Sequence, residues 1–167
     1  MSNQIQRNYL EIKSISELIE VKKPIESLHL EKVNSEDFQL NKFLYKEIGK
    51  KHSWIDRLIW SDKNWTDYIN SSGVFTYILK DNEDLVGYFE QNIYFQKHEC
   101  EIAYFGILEE YIGKKIGAYL LSEAIKESFK TGSKRIWVHT CSLDHKNALK
   151  NYISRGMKIF RNEIINL

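Results

Sequence analysis

Glu101-Ile-Ala-Tyr-Phe-Gly-Ile-Leu108, then Glu109-Glu110, then Tyr111-Ile-Gly-Lys-Lys-Ile-Gly-Ala118 is the stretch on which the reading of this chain turns. The first eight residues are an almost wholly apolar run and predict a strand, and the two acids predict a turn. Ile116, Leu120, Leu121, Ala124, Ile125 and Phe129 then recur at three- and four-residue spacing, the greasy stripe of an amphipathic helix, with Lys126, Glu127 and Lys130 on its other faces. Gly132 after Thr131 predicts its stop. Gly113 and Gly117 fall where the strand hands over to the helix. First-turn N–H groups have no partner inside a helix and carry the positive end of its dipole, so an anion settles there, and Lys114 and Lys115 add full charges beside them. This is the layout of a phosphate cradle. Two glycines at such a junction serve tight turning equally well, and Gly-Lys-Lys-Ile-Gly is neither a P-loop nor a dinucleotide fingerprint.

The rest of the composition narrows the partners. At 167 residues and 43% hydrophobic, the chain suits one well-filled core, so residues 1–167 are expected to form a single domain in which 1–27 is an N-terminal extension with a short strand. Lys and Arg (24) balance Asp and Glu (23), so no overall field points to nucleic acid or to a membrane surface, and a small ligand is the expected partner. Met1 to Asn8 holds no apolar core of signal-peptide length and no uncharged run could cross a bilayer, which predicts a cytoplasmic protein. Cys100 and Cys141 lack the paired spacing of a zinc or redox site, and the five histidines are scattered, so no metal is expected.

In chain order, 8–13 alternates like a short strand and Ser14 to Ile19 reads as one helical turn. A linker with the only proline, Pro24, leads to a strand over Leu28 to Val33. Asn34-Ser-Glu-Asp resembles a helix start with Ser35 as cap and acids in the first turn, and Phe38, Phe43, Leu44 and Ile48 give that helix a buried face up to Gly49. Lys50 to Trp60 is a connector rich in aromatics, with Trp54, Arg57 and Trp60. These side chains either pack or line a substrate pocket. Ser61-Asp62 caps a second helix running to Gly73, and Val74–Lys80 with Leu85–Tyr94 is a hairpin across Asp81–Asp84. After the central helix come a strand at Arg135–Cys141, a helix from Asp144 to Arg155, and a last strand from Met157 to about Ile164. Three consecutive strands followed by strand-helix-strand make the central helix a crossover between parallel neighbours, so the sheet is mixed and the class α+β or mixed α/β.

This order of elements, together with the cradle, resembles the GNAT superfamily of acyl-CoA-dependent N-acyltransferases. The resemblance implies a mixed central sheet with splayed strands, helices on both faces, and coenzyme A or acetyl-CoA as cofactor. Its Arg/Gln-x-x-Gly-x-Gly/Ala motif falls on Ile112, Lys115 and Gly117: Gly117 matches, Ile112 stands for the Arg or Gln, and Lys115 stands for a Gly. Main-chain binding of the diphosphate survives both changes if Lys115 keeps helical angles, because the donors are backbone groups; left-handed angles cost a non-glycine residue about 1–2 kcal/mol. Asn147-Ala-Leu-Lys-Asn-Tyr152-Ile-Ser-Arg-Gly156-Met157 is similar to the late GNAT segment Asn-x-x-Ala-x-x-x-Tyr-x-x-x-Gly-Phe, with Ala148, Tyr152 and Gly156 in register, His145 in place of the Asn and Met157 in place of the Phe. Phe43–Gly49, Trp54–Arg57, Trp60, Glu101–Gly106 and Trp137–Asp144 further resemble a group of bacterial GNAT proteins, so the likeness runs from about residue 28 onward.

What the resemblance implies for individual residues is as follows. Phe105, Ile107, Leu108, Gly113, Lys114, Lys115, Ile116, Gly117, Ala118, Asn147 and Tyr152 would hold the cofactor. The amides of Phe105 and Ile107 would be donors freed by a bulge, for which Gly106 is the candidate, although a strand glycine also serves close packing. Tyr152 would be the general acid toward the coenzyme sulfur, or else a core tyrosine. Glu101 would take the amine proton through water, or else face solvent. Apart from the resemblance, Trp54, Arg57 and Trp60 of the aromatic connector and His139 on the facing strand are the candidate acceptor contacts, with a structural histidine the first reading of His139. The leading expectation is an N-acetyltransferase moving an acetyl group from acetyl-CoA to the amine of a small molecule or peptide by direct attack. The alternative is a non-catalytic coenzyme A-binding module. The sequence leaves a homodimer open.

Overall fold

β1 (Gln4–Ile12), β2 (Leu28–Lys32), α1 (Gln39–Gly49), α2 (Asp62–Ile69), β3 (Val74–Asp81), β4 (Asp84–Tyr94), β5 (Glu99–Ile107), α3 (Ile116–Lys130), β6 (Arg135–Cys141), α4 (Ala148–Ser154) and β7 (Lys158–Asn166) follow one another along the chain. The computed structural model describes residues 4–34 and 36–166. The seven strands form one sheet in the order β2-β3-β4-β5-β6-β1-β7, antiparallel throughout except for β5 beside β6. The α+β reading therefore holds, and α3 is the crossover between the parallel pair. Among the described residues no helix is long and apolar enough to cross a membrane.

Helices cover both faces. The stripe of α3, from Ile116 through Leu120, Leu121 and Ala124 to Ile125, is buried with Phe89, Ile102, Ile136 and Val138 of the strands, and Tyr152 of α4 joins it. On the other face Leu44 and Ile48 of α1 pack with Ile78, Tyr88 and Leu108. Gly106 belongs to this contact: a Cβ there would overlap Ile48 Cγ2, so the glycine lets α1 lie against β5. The bulge expected at Gly106 is instead at Ala103, because Glu90 pairs with Tyr104 and Gln91 with Ile102, leaving Ala103 unmatched.

Several boundaries differ from the sequence expectation. The N-terminal segment does not lie apart: β1 starts at Gln4 and runs inside the sheet between β6 and β7, where Ile5, Leu10 and Ile12 are buried. The helix expected from Asn34 begins at Gln39, with the Asp37 carboxylate accepting from the Gln39 N–H; the proposed cap, Ser35, lies outside the described residues. Phe43 is exposed, and Asn41 and Tyr45 take the buried face with Leu44 and Ile48. Ser61 caps α2 with a reciprocal capping box to Asn64, as the Ser-Asp start predicts. α4 begins at Ala148 rather than Asp144, because Asp144 folds back on the end of β6.

Candidate active site

β5 and β6 pair over only Glu99–Glu101 and Arg135–Trp137, after which they part. β5 continues to Ile107 and β6 to Cys141 with a widening gap between them. The hydrogen-bond phase tells which groups face the gap. Leu108 N–H donates to Val86 O at 2.8 Å. Bonded pairs alternate along an antiparallel ladder, so Gly106 and Tyr104 commit their main-chain groups to Tyr88 and Glu90, while Phe105 and Ile107 turn theirs away from β4, into the gap. Those two amides are thus freed by strand parting and ladder phase, without a bulge at Gly106. On the opposite wall Ser142 N–H donates to Gln6 O at 2.9 Å, which by the same alternation sends the main-chain groups of His139 and Cys141 toward the gap.

At the open end of the gap stands the N-terminus of α3. Its first intrahelical bond is Tyr119 N–H to Lys115 O, and no side chain caps it, so the N–H groups of Ile116, Gly117 and Ala118 are orphan donors. Gly113 and Lys115 both have positive φ, 87° and 63°. Lys115 therefore does not keep helical angles: it takes the left-handed conformation that the glycine of the motif would adopt without cost. The Asn151 amide donates to Gly117 O at 3.2 Å and ties α4 to this turn.

A cleft of about 1110 Å³ runs along the gap and is lined from both faces of the sheet. On the α3 and α4 side its walls include Phe105, Ile107, Gly113, Lys115, Gly117, Ala118, Asn147 and Tyr152. On the α1 side they include Trp54, Asp56, Tyr104, His139, Cys141 and Asp144. Five cationic side chains (Arg7, Lys115, Lys146, Lys150, Arg155) and two carboxylates (Asp56, Asp144) line it, a balance that favours an anionic ligand. Of the residues expected around the cofactor, Leu108 is buried against α1 with its N–H already used, Ile116 is buried in the core, and Lys114 extends over the Tyr111 ring.

Tyr152 is buried beside Phe105, ring centroids 6.3 Å apart, and faces the cleft; burial pushes its hydroxyl well above the usual phenol range, with Asp144 adding to the effect. Glu101 is at the narrow end, where the strands are still paired, and is not part of the cleft wall. Burial raises its carboxyl above the ordinary range against the opposing pull of the Tyr94 hydroxyl, which donates to it at 3.1 Å. His139 is open to the cleft, and desolvation by the walls together with the Arg7 charge holds its imidazole down.

Arg57 and Trp60 lie elsewhere than expected. Arg57 is buried with Nη1 donating to both oxygens of Glu90, at 3.0 and 3.1 Å, and its guanidinium is surrounded by the rings of Tyr68, Tyr104, Trp60, Trp65 and Tyr45 at 4.1–5.7 Å. It anchors the connector from beneath, and Trp54 at the connector's other end reaches the cleft.

Asp144 is a site residue that spacing alone does not announce. Its Oδ2 accepts from Thr140 Oγ1 at 2.6 Å and from Cys141 N–H at 3.0 Å, and its Oδ1 accepts from Trp54 Nε1 at 3.4 Å across the cleft. One carboxylate thus joins the end of β6 to the aromatic connector.

The sequence model of the acetyltransferase (GNAT) family matches residues 37–157, more than two thirds of the chain. No curated protein matches it. Among solved structures, a GCN5-related N-acetyltransferase from Sphaerobacter thermophilus superposes with a TM-score of 0.75 at 14% identity over 97% of this chain and 50% of that one. An aminoglycoside acetyltransferase from an uncultured soil metagenomic sample gives 0.66 at 14% identity, over 80% of this chain and 90% of that one. A conserved protein of unknown function from Staphylococcus epidermidis gives 0.63 at 16%, over 97% and 60%. The chain thus spans about half the length of the first of these, and the likeness at such identities is one of fold.

Proposed function

We infer that this chain, which belongs to the acetyltransferase (GNAT) family, moves an acetyl group from acetyl-CoA to the amine of a small molecule or peptide by direct attack within the cleft. The observation that carries this reading is the parting of β5 and β6 after three pairs, which turns the unshared amides of Phe105 and Ile107 into a gap that ends at the orphan donors of α3. Acyl transfer needs an acyl carbonyl held beside donors aimed at its developing charge, and an amine brought in line with it. When bound, acetyl-CoA would supply the activated acyl group. Ile116, Gly117 and Ala118 would hold its diphosphate on main-chain N–H groups, with Lys115, Lys146 and Lys150 adding charge.

The two faces of the cleft divide the work. The Phe105 and Ile107 amides polarise the carbonyl, and Tyr152, kept protonated by its burial, gives a proton to the departing thiolate. The acceptor enters from the α1 side between Trp54, Tyr104 and Asp56. Glu101, raised by burial toward neutral pH, receives the amine proton through solvent at the narrow end of the gap. Ile112 in place of the motif's Arg or Gln and Lys115 in place of its Gly support the non-catalytic coenzyme A-binding module as the second reading. Thiol release from acetyl-CoA over a panel of amines separates the two. Amine-dependent release supports the enzyme, and a thermal shift with coenzyme A but no release with any amine supports the binding module.

A further inference from the structure

On α4, positions 148, 152 and 155 fall on one face of the helix. Ala148 and Tyr152 pack against the core as that pattern demands, but the third member is Arg155. The residue is only 9% exposed, it lines the cleft, and among the described residues its buried Nε and Nη1 meet no hydrogen-bond partner and no acidic group offsets its burial. A buried cation without a partner is among the least favourable arrangements a fold can hold. The contrast with Arg57 is direct: that guanidinium is met by Glu90 at 3.0 Å.

The place of Arg155 limits what its partner can be. Asn151, tied to Gly117, marks the level of the cradle, and Arg155 lies one helical turn further, about 6 Å along the axis. Phosphates are answered at the cradle by main-chain donors and by Lys115, Lys146 and Lys150 at the rim. Arg155 is beyond them, on the same inner face as Tyr152, where the reacting groups meet. A guanidinium is a planar fork suited to a carboxylate.

We propose that Arg155 is the counter-ion for a carboxylate that one of the two reactants carries into the cleft, either at the far end of a dicarboxylic acyl group or on the amine acceptor itself. This rests on the acyltransferase reading of the cleft.

The test has two arms, each run on the wild-type chain and on Arg155→Met, which keeps length and removes charge. In the first arm a neutral amine is offered with succinyl-CoA or with butyryl-CoA, acyl groups of equal length that differ in the terminal carboxylate. In the second, acetyl-CoA is offered with an amino acid or with its amide. The wild-type chain is expected to favour the carboxylate form in one arm by about tenfold or more in kcat/KM, and R155M to lose that preference. The same pairs compared by thermal shift give the answer independently of turnover, and Arg155→Gln serves if R155M does not fold. Equal ratios for wild type and variant in both arms, by turnover and by thermal shift, would overturn the assignment. Thiol release that proceeds with no carboxylate preference removes this inference and leaves the acyltransferase reading standing. A carboxylate-dependent thermal shift without any thiol release keeps Arg155 as a carboxylate site and removes the enzyme.

Discussion

Replacing Arg57 by Leu removes the guanidinium that faces Glu90 and leaves a carboxylate with 0% exposure without its cation. Breaking a buried ion pair from one side costs about 3–5 kcal/mol. At this chain length each kcal/mol moves the midpoint by about 2–4 °C, so the single variant should melt roughly 6–20 °C lower. Glu90→Leu should fall in the same range, since it strands the guanidinium among five rings. The double variant is the informative one. With both charges gone no buried charge is left unpaired, so its loss should be well short of the sum, although the Asn41 amide loses its bond to Glu90 and the cation–π contacts, each worth about 0.5–2 kcal/mol, do not return. Urea melts of the four proteins at constant m-value give the coupling directly. Strictly additive losses would refute the idea that the two groups act as one buried unit.

Tyr152→Phe should lower turnover about 10²-fold or more while leaving the coenzyme A thermal shift nearly unchanged; retention of full turnover would remove the tyrosine from the proton path. Glu101→Gln should stabilise the chain at pH 8 and not at pH 4. Its carboxyl is raised in the fold, so the stability tied to it is present below the unfolded pKa and lost as pH rises, which a pair of melting curves at each pH will read. Gly106→Ala should cost about 1–3 kcal/mol because its methyl overlaps Ile48, and Ile48→Ala in the same chain should recover part of the loss in denaturant titration. Lys115→Gly should raise the melting temperature by roughly 2–4 °C by relieving left-handed strain of about 1 kcal/mol, with the free protein as the sample.

The order of elements was readable because periodicity survives burial: the stripe of α3 and the alternation of β3 and β4 are local facts. What depended on pairing was not. The bulge falls at Ala103 rather than Gly106 because register is set by β4, and a glycine chosen for helix approach looks the same in sequence as one chosen for a bulge. Arg57 among aromatics reads alike as a pocket lining or as a caged ion pair, and only Glu90, 33 residues away, decides between them. Asp144 carried no spacing signal, since its three partners come from β6 and the connector. Arg155 did carry one: the apolar face of α4 set by Ala148 and Tyr152 is broken at its third position.

The short ladder between β5 and β6 leaves the sheet as two panels, a four-stranded one and a three-stranded one, hinged at a seam three residues long. A molecule lying along the seam draws on hydrogen bonds that a complete sheet would use to hold itself together, so occupancy and the stiffness of the middle of the fold are two measures of one quantity. Amide exchange should report this as a comb: slow at Tyr104 and Gly106, fast at Phe105 and Ile107, with the teeth levelling as the seam fills.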